Sequence, residues 1–225
     1  MDNSFYFQII IIVCKNINKK GLYAIGCNLS DYDVEYTRTI PARLDLHILF
    51  REIGGFLNMS KEITPAEFDY NVFNTIGKDW MLISASANGK TNAMTASWGG
   101  MGVMWGKNVA YIVIRPQRYT KEFIDASDEL TISVFGEEKR KAMTYMGTVS
   151  GRDEDKIAKA GFAVFEADGQ KFFGDAKITM FCRKLYAQEM QENCFIDKSC
   201  DEKWYADKDY HTMYIVEIQK ILVND

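Results

Sequence analysis

Three stretches of the chain place hydroxyl, amide and basic side chains together where backbone groups would also be free to bind a ligand. The first is Asn92-Ala93-Met94-Thr95-Ala96-Ser97-Trp98-Gly99-Gly100, whose small and hydroxyl residues leave the backbone open and whose glycines permit close approach. Trp98 adds a large flat surface to it. Alone, this stretch reads equally well as a barrel strand with small residues in a crowded interior. The second is Arg115-Pro116-Gln117-Arg118-Tyr119-Thr120, in which Pro116 ends a strand and Thr120 lies near a helix start. Free N–H groups, a hydroxyl and guanidinium donors at a helix N-terminus form an anion cradle; a turn with solvated arginines is the plainer alternative. The third is Gly147-Thr148-Val149-Ser150-Gly151-Arg152-Asp153-Glu154-Asp155-Lys156, a Gly/Ser loop entering a helix, with Arg152 and Lys156 placed for a second anion contact. Its acidic residues can also cap the helix and offset its dipole with no ligand present.

The elements that must position these stretches follow from periodicity. Thr64, Pro65 and Glu67 predict a capped helix whose apolar face is Phe68, Val72, Phe73 and Ile76, closed by Gly77. Strands are expected at 80–86 and 91–98, joined by a tight turn at Asn88-Gly89. Further strands are expected at 109–114, 130–135, 176–187 and 210–223, with helices at 119–126, 137–146 and 153–160. This order lacks the strand–helix alternation of a parallel sheet and predicts a mainly β protein, an antiparallel barrel with helices in its connections.

Composition narrows the chemistry. The 225 residues carry a formal net charge of -4, which argues against a nucleic-acid or anionic-membrane surface, so any phosphate site must be local. Five cysteines without a CxxC pair read as free thiols of a reducing, cytoplasmic compartment, and two histidines leave no multi-histidine metal site. The apolar run at 5–14 is half the length of a membrane span and lacks the basic start of a signal peptide. No GxGxxG, Walker loop or GxSxG elbow is present, so a nicotinamide nucleotide would visit rather than be held as in a dinucleotide-binding domain.

Residues 1–58 lack the regular patterning found from Thr64 onward. Gly54-Gly55-Phe56-Leu57-Asn58, directly before Met59, could be encoded by a ribosome-binding sequence and its spacer. The expectation is that 1–58 is a translated, non-native or disordered leader and that the working domain is 59–225; a genuine N-terminal extension is the alternative.

Taken in order, Asn-Ala-Met-Thr-Ala-Ser-Trp-Gly-Gly, Arg-Pro-Gln-Arg-Tyr-Thr and Gly-Thr-x-Ser-Gly-Arg-Asp-x-Asp-Lys resemble the flavin-reductase-like, or flavoredoxin-type, FMN-binding proteins. Cys182-Arg183-Lys184-Leu185-Tyr186-Ala187-Gln188 and Lys208-Asp209-Tyr210-His211 continue the similarity to Val223. The resemblance implies a Greek-key split β-barrel, a homodimer, and FMN near the subunit interface. It implies that Asn92, Thr95, Ala96, Ser97 and Trp98 line the flavin and that Arg115, Tyr119 and Thr120 meet its phosphate. Ser150, Gly151, Arg152 and Lys156 would close over the phosphate or ribityl chain, and His211 would lie near the ring. The last strand departs from the pattern: Thr212 stands where similar proteins have Arg, and Val216 where they have Gly. The implied activity is hydride transfer from NADH or NADPH, as transient donor, to FMN, with electrons passed to an acceptor or redox partner protein. Two alternatives are an FMN-holding electron carrier without its own NAD(P)H oxidation, and a split barrel that takes another ligand. No side chain is assigned as acid or base, since the flavin carries the redox chemistry.

Overall fold

The computed structural model describes residues 60–224. The expectation for 1–58, and with it a start at Met59, lies outside the described residues.

Ten antiparallel-paired strands and four α-helices make up the described chain. In order they are β1 (Ser60–Ile63), β2 (Met81–Ala87), β3 (Lys90–Ala96), β4 (Gly99–Met104), β5 (Lys107–Ile114), α1 (Tyr119–Ala126), β6 (Glu129–Val134), α2 (Arg140–Thr148) and α3 (Lys156–Lys159). They continue with β7 (Val164–Ala167), β8 (Gln170–Phe173), β9 (Ile178–Glu189), α4 (Lys198–Trp204) and β10 (Thr212–Asn224). The main sheet runs β3-β2-β6-β9-β10-β5-β4, with β1 pairing the far end of β10, and β7 with β8 forms a separate hairpin. The two outermost strands of that path, β3 and β4, are joined by only Ser97 and Trp98. Three Cα steps span at most ~11 Å, so the sheet must curl until its edges nearly meet. The result is a barrel split along one seam.

Strand alternation explains what fills it. Ile83, Ile112, Ile114, Ile132, Met180, Tyr214 and Val216 point inward and form the barrel core. On the outside of β2 and β3, Leu82 and Ala93 join a second core with Phe135, Met143, Met146, Phe162 and Phe173. That second core fixes α2 against the barrel wall. Helix α1 is fixed by Phe123 and Ile124 in the barrel core, and Lys184 of β9 donates to the Ile124 carbonyl at the helix C-terminus. The opposite, N-terminal end of α1 is thereby aimed at β3.

Three hairpins use the same turn, with two consecutive left-handed residues: Asn88-Gly89, Trp105-Gly106 and Asp168-Gly169. Such turns match the twist of paired strands. Only the first was expected. Asp168-Gly169 carries the same signal, whereas Trp105 is a poor left-handed residue and announces no turn.

The helix expected from Thr64 is not continuous. Glu67 does cap the start, accepting from the Thr64 N–H at 2.8 Å and from its hydroxyl at 2.7 Å. The turn ends after Pro65–Glu67 because Phe68 is extended, and helical structure resumes only before a π-turn at Asn74–Asp79. Phe73 is 88% exposed and leaves the expected apolar face, whereas Phe68, Val72 and Ile76 pack against the barrel core. The expected helix at 153–160 shrinks to α3, with Asp155 as its cap accepting from the Ala158 N–H at 3.1 Å. Gly161 ends it with a φ of 74°.

Replacing Ile132, fully buried in the barrel core, with Ala should lower stability by about 2–5 kcal/mol. Gly89→Ala, at φ 74°, should cost ~1–2 kcal/mol. Urea unfolding midpoints check both.

Candidate functional site

The three stretches singled out above meet where the N-terminus of α1, strand β3 and the α2–α3 loop converge. Thr120, 1% exposed in the first turn of α1, accepts a hydrogen bond from the Asn92 amide of β3 at 3.0 Å. Gly151 lies against the same amide: a Cβ at Gly151 would come within 2.2 Å of Asn92 Oδ1. Asn92 is therefore clamped between helix and loop. Thr95, on the same strand, donates to the Met143 carbonyl of α2 at 2.6 Å. At the start of α1, the N–H groups of Tyr119 and Thr120 have no intrahelical acceptor.

Two cations face this junction without a carboxylate. Lys156 is 4% exposed and donates to the carbonyls of Met146 and Val149 at 2.8 and 3.0 Å. Arg118 donates to the Gly147 carbonyl at 2.6 Å. Neither forms an ion pair among the described residues, although most other basic side chains nearby do. The carbonyl end of α2 accounts for part of their donor capacity, leaving one of three Lys156 donors and four of five Arg118 donors for something else. Burial, then the nearby Arg118 charge, pulls the Lys156 ammonium down to about 8. Burial and then Arg115 lower Arg118 as well.

Ser150, Tyr119 and Arg152 form the rim. The Ser150 hydroxyl accepts from the Arg152 N–H at 3.2 Å. Arg152 pairs with Glu122, donates to the Gln117 carbonyl at 3.3 Å and lies 4.6 Å from the centre of the Tyr119 ring. It is thus committed to protein partners at the edge of the pocket.

At its far end β3 passes Ala96 and Ser97 and reaches an aromatic corner. Trp98, 38% exposed, meets Trp204 edge to face with centroids 4.9 Å apart and His211 at 5.3 Å. The His211 Nδ1 is 2.8 Å from the Tyr205 hydroxyl, which is itself 3.5 Å from the Met190 sulfur. Burial, then Arg115, holds His211 down at about 4, so its ring is neutral at pH 7. Arg115 binds the Asp209 carboxylate and donates to the Trp204 carbonyl at 2.8 Å. It therefore ties the end of β5 to the segment that carries the corner, and does not reach into the cation pair.

The structure brings Asn92, Thr95, Thr120, Gly151 and Lys156 together, with Tyr119, Ser150 and Arg152 at the rim. It places Trp98, His211 and Arg115 at the other end, with Ala96 and Ser97 between. Arg118 and Trp204 were missed. Arg118 stood in the quoted Arg-Pro-Gln-Arg run, but nothing in that run says which arginine is half-buried without a partner. Trp204 lies in a connection that carried no motif.

The described residues also match known proteins. A model for the flavin reductase-like domain matches residues 73–225. The chain belongs to that family. No curated protein sequence matches it. Among solved structures, an FMN-binding domain of a flavin reductases-like enzyme from Shewanella baltica OS155 is 18% identical over 73% of this chain and 77% of its own, with a TM-score of 0.55. A flavoredoxin from Methanosarcina acetivorans is 19% identical over 72% of this chain and 74% of its own, at 0.53. A flavoredoxin of Desulfovibrio vulgaris is 19% identical over 65% and 69%, at 0.51. At these identities the likeness is one of fold, and it is the split barrel of flavin reductase-like proteins.

Both perturbed groups have sign-definite consequences. Lys156 is depressed in the folded state, so the unfolded chain binds the extra proton between pH 8 and the ordinary lysine value. Stability contributed by this group should rise with pH across that window, by up to about 3 kcal/mol. His211 is depressed too, so stability should fall as pH drops from 6.5 toward 4. Side-chain NMR should show one lysine titrating near pH 8; a chain in which every lysine titrates above 10 would contradict this account.

Proposed function

We propose that this protein binds FMN and acts as an oxidoreductase, taking a hydride from NADH or NADPH and passing electrons to an acceptor. The observation that carries the FMN assignment is the buried Lys156 beside the half-buried Arg118, which have no carboxylate partner among the described residues and sit at the open N-terminus of α1. A phosphate dianion supplies the missing charge and accepts from both side chains, from the Tyr119 and Thr120 N–H groups and from the Thr120 and Ser150 hydroxyls. About 13 Å of β3, from Asn92 to Ala96, and the Ser97-Trp98 step after it lead from this end to Trp98 and His211. A ligand with a phosphate at one end and a planar ring at the other fits that layout. Gly151, with no room for a Cβ beside Asn92, lets the loop backbone lie close over the connecting chain. Thr95, Ala96 and Ser97 offer backbone and hydroxyl groups along the ring.

When bound, FMN supplies a ring that accepts a hydride at N5 and releases electrons singly or in pairs. The residues orient that ring and keep its surroundings neutral. His211, uncharged at pH 7 and fixed by Tyr205, is a polar wall rather than a proton donor. Arg115 acts as a positioning residue: through Asp209 and the Trp204 carbonyl it fixes the backbone of the connection that carries His211. Arg152 closes the rim through Glu122 and Tyr119.

A homodimer is part of the same reading. On the outer face of the barrel Tyr111, Ile215 and Tyr186 lie in one row across β5, β10 and β9. Tyr111 and Tyr186 are 44% and 39% exposed, and Val103, Met104 and Trp105 extend the apolar surface along the β4–β5 hairpin. A second copy would cover this band.

Purified protein mixed with FMN should show perturbed flavin absorbance and retain the cofactor on gel filtration. Lys156→Met should weaken retention about tenfold or more, the value of one charge-assisted hydrogen bond, and Gly151→Ala should weaken it by displacing Asn92. Anaerobic NADH or NADPH should bleach the bound flavin. A flavin that neither donor bleaches would replace the reductase with an electron carrier, and a chain that ignores FMN would remove the flavin altogether.

A further inference from the structure

The connection between β9 and β10 runs through α4 and returns at His211, and it contributes a side chain that the flavin site does not need. Trp204, 45% exposed at the end of α4, stands at 86° to Trp98. The two indoles form a right-angled corner, with His211 as a third wall tilted 41° to Trp98. This corner is held from behind. Arg115 fixes the Trp204 backbone through its carbonyl. Tyr205, the next residue, is 5% exposed, stacks on Tyr210 at 5.0 Å and meets Phe195 at 5.5 Å. The Trp204 backbone is thus fixed while its ring and that of Trp98 remain partly open to solvent and available for stacking.

The electrostatics of the corner favour a positively charged ring. An indole face attracts cations more strongly than any other side-chain ring. The face of Trp204 already holds one, the exposed Lys203 ammonium at 5.0 Å from the ring centre. Of the other charges that reach the corner, Arg115 is paired with Asp209, which also accepts from Gln117 at 2.8 Å, and the unpaired Arg118, which also acts on His211, would be neutralised by the FMN phosphate. The neutral His211 adds no repulsion at pH 7.

We infer that Trp204 is a specificity-determining residue that stacks the nicotinamide end of the electron donor in the corner it makes with Trp98, and that it favours the oxidised, pyridinium form over the reduced ring. This rests on the flavin reading given above and extends it to the donor. Stacking a pyridinium displaces the Lys203 ammonium, which is then free to meet the diphosphate of the dinucleotide. Because loss of a hydride converts the neutral dihydronicotinamide ring into the cation, the corner gains attraction as the transfer proceeds. The same attraction makes the oxidised nucleotide a competitive inhibitor.

The test is a titration of the full chain, loaded with FMN and free of it, with NAD+ and with the 1-methylnicotinamide cation, read by tryptophan fluorescence and calorimetry. Trp204→Ala should weaken binding of both probes at least tenfold while the FMN dissociation constant stays within twofold of the wild type. Trp204→Phe should recover part of the loss. With NADH or NADPH as donor, Trp204→Ala should weaken inhibition by the oxidised nucleotide more than it raises KM for the reduced one. Probe affinities within twofold of the wild type in Trp204→Ala, or an equal loss of FMN affinity, would overturn the inference. A wild-type chain that takes up no FMN but whose NAD+ binding still depends on Trp204 would defeat the flavin reading and leave the corner standing.

Discussion

The functional end of this molecule depends on an uncompensated charge. Lys156 and Arg118 are drawn below the surface to satisfy the carbonyl end of α2, and no carboxylate follows them. Desolvation makes that arrangement unfavourable by itself, and the depressed Lys156 shows the strain in the free protein. Everything around the pair works in the same direction. The N-terminus of α1 brings donors and partial positive charge, and Asn92 and Thr120 bond to each other rather than to the cations. An anion at this point resolves the imbalance for all of them together.

The split barrel is what allows the charge to persist. Two hydrophobic cores, one inside the barrel and one between its outer wall and α2, hold α1 and α2 so that opposite helix ends meet at β3. The seam of the sheet lies between β3 and β4, and the two-residue step across it presents Trp98. Strand β3 therefore links the cationic end to the aromatic end, and a single ligand can touch both. Arg115 couples this strand framework to the β9–β10 connection, so the aromatic wall is part of the same rigid unit.

Much of this was legible in the sequence because it is written in local patterns. Runs of β-forming and apolar residues, alternating in the two long C-terminal strands, place β2, β5, β6, β9 and β10 to within two residues of their ends, the Pro116 stop precedes α1, and Asn88-Gly89 marks the first hairpin. The junction of Asn92, Thr120, Gly151 and Lys156 followed from the ordered family resemblance, not from spacing. What escaped depends on tertiary context. The helix from Thr64 breaks because Phe68 is extended, which its capping signal cannot reveal. Strand β4 is glycine-rich and outside any strand preference, and Trp105 occupies a turn position that disfavours it. Arg115 and Arg118 are three residues apart and look alike; only the fold shows that one is paired with Asp209 and the other is not. Trp204 needed the long β9–β10 connection to bring it to Trp98.

The most direct test of the central claim is phosphorus NMR of FMN bound to the chain, followed from pH 8 to pH 5. A free phosphomonoester takes up its second proton near pH ~6. Beside Lys156, Arg118 and the α1 N-terminus the bound phosphate should remain a dianion well below that, and Lys156→Met should restore much of the ordinary titration. A bound FMN whose phosphorus resonance titrates like that of the free nucleotide would contradict the account.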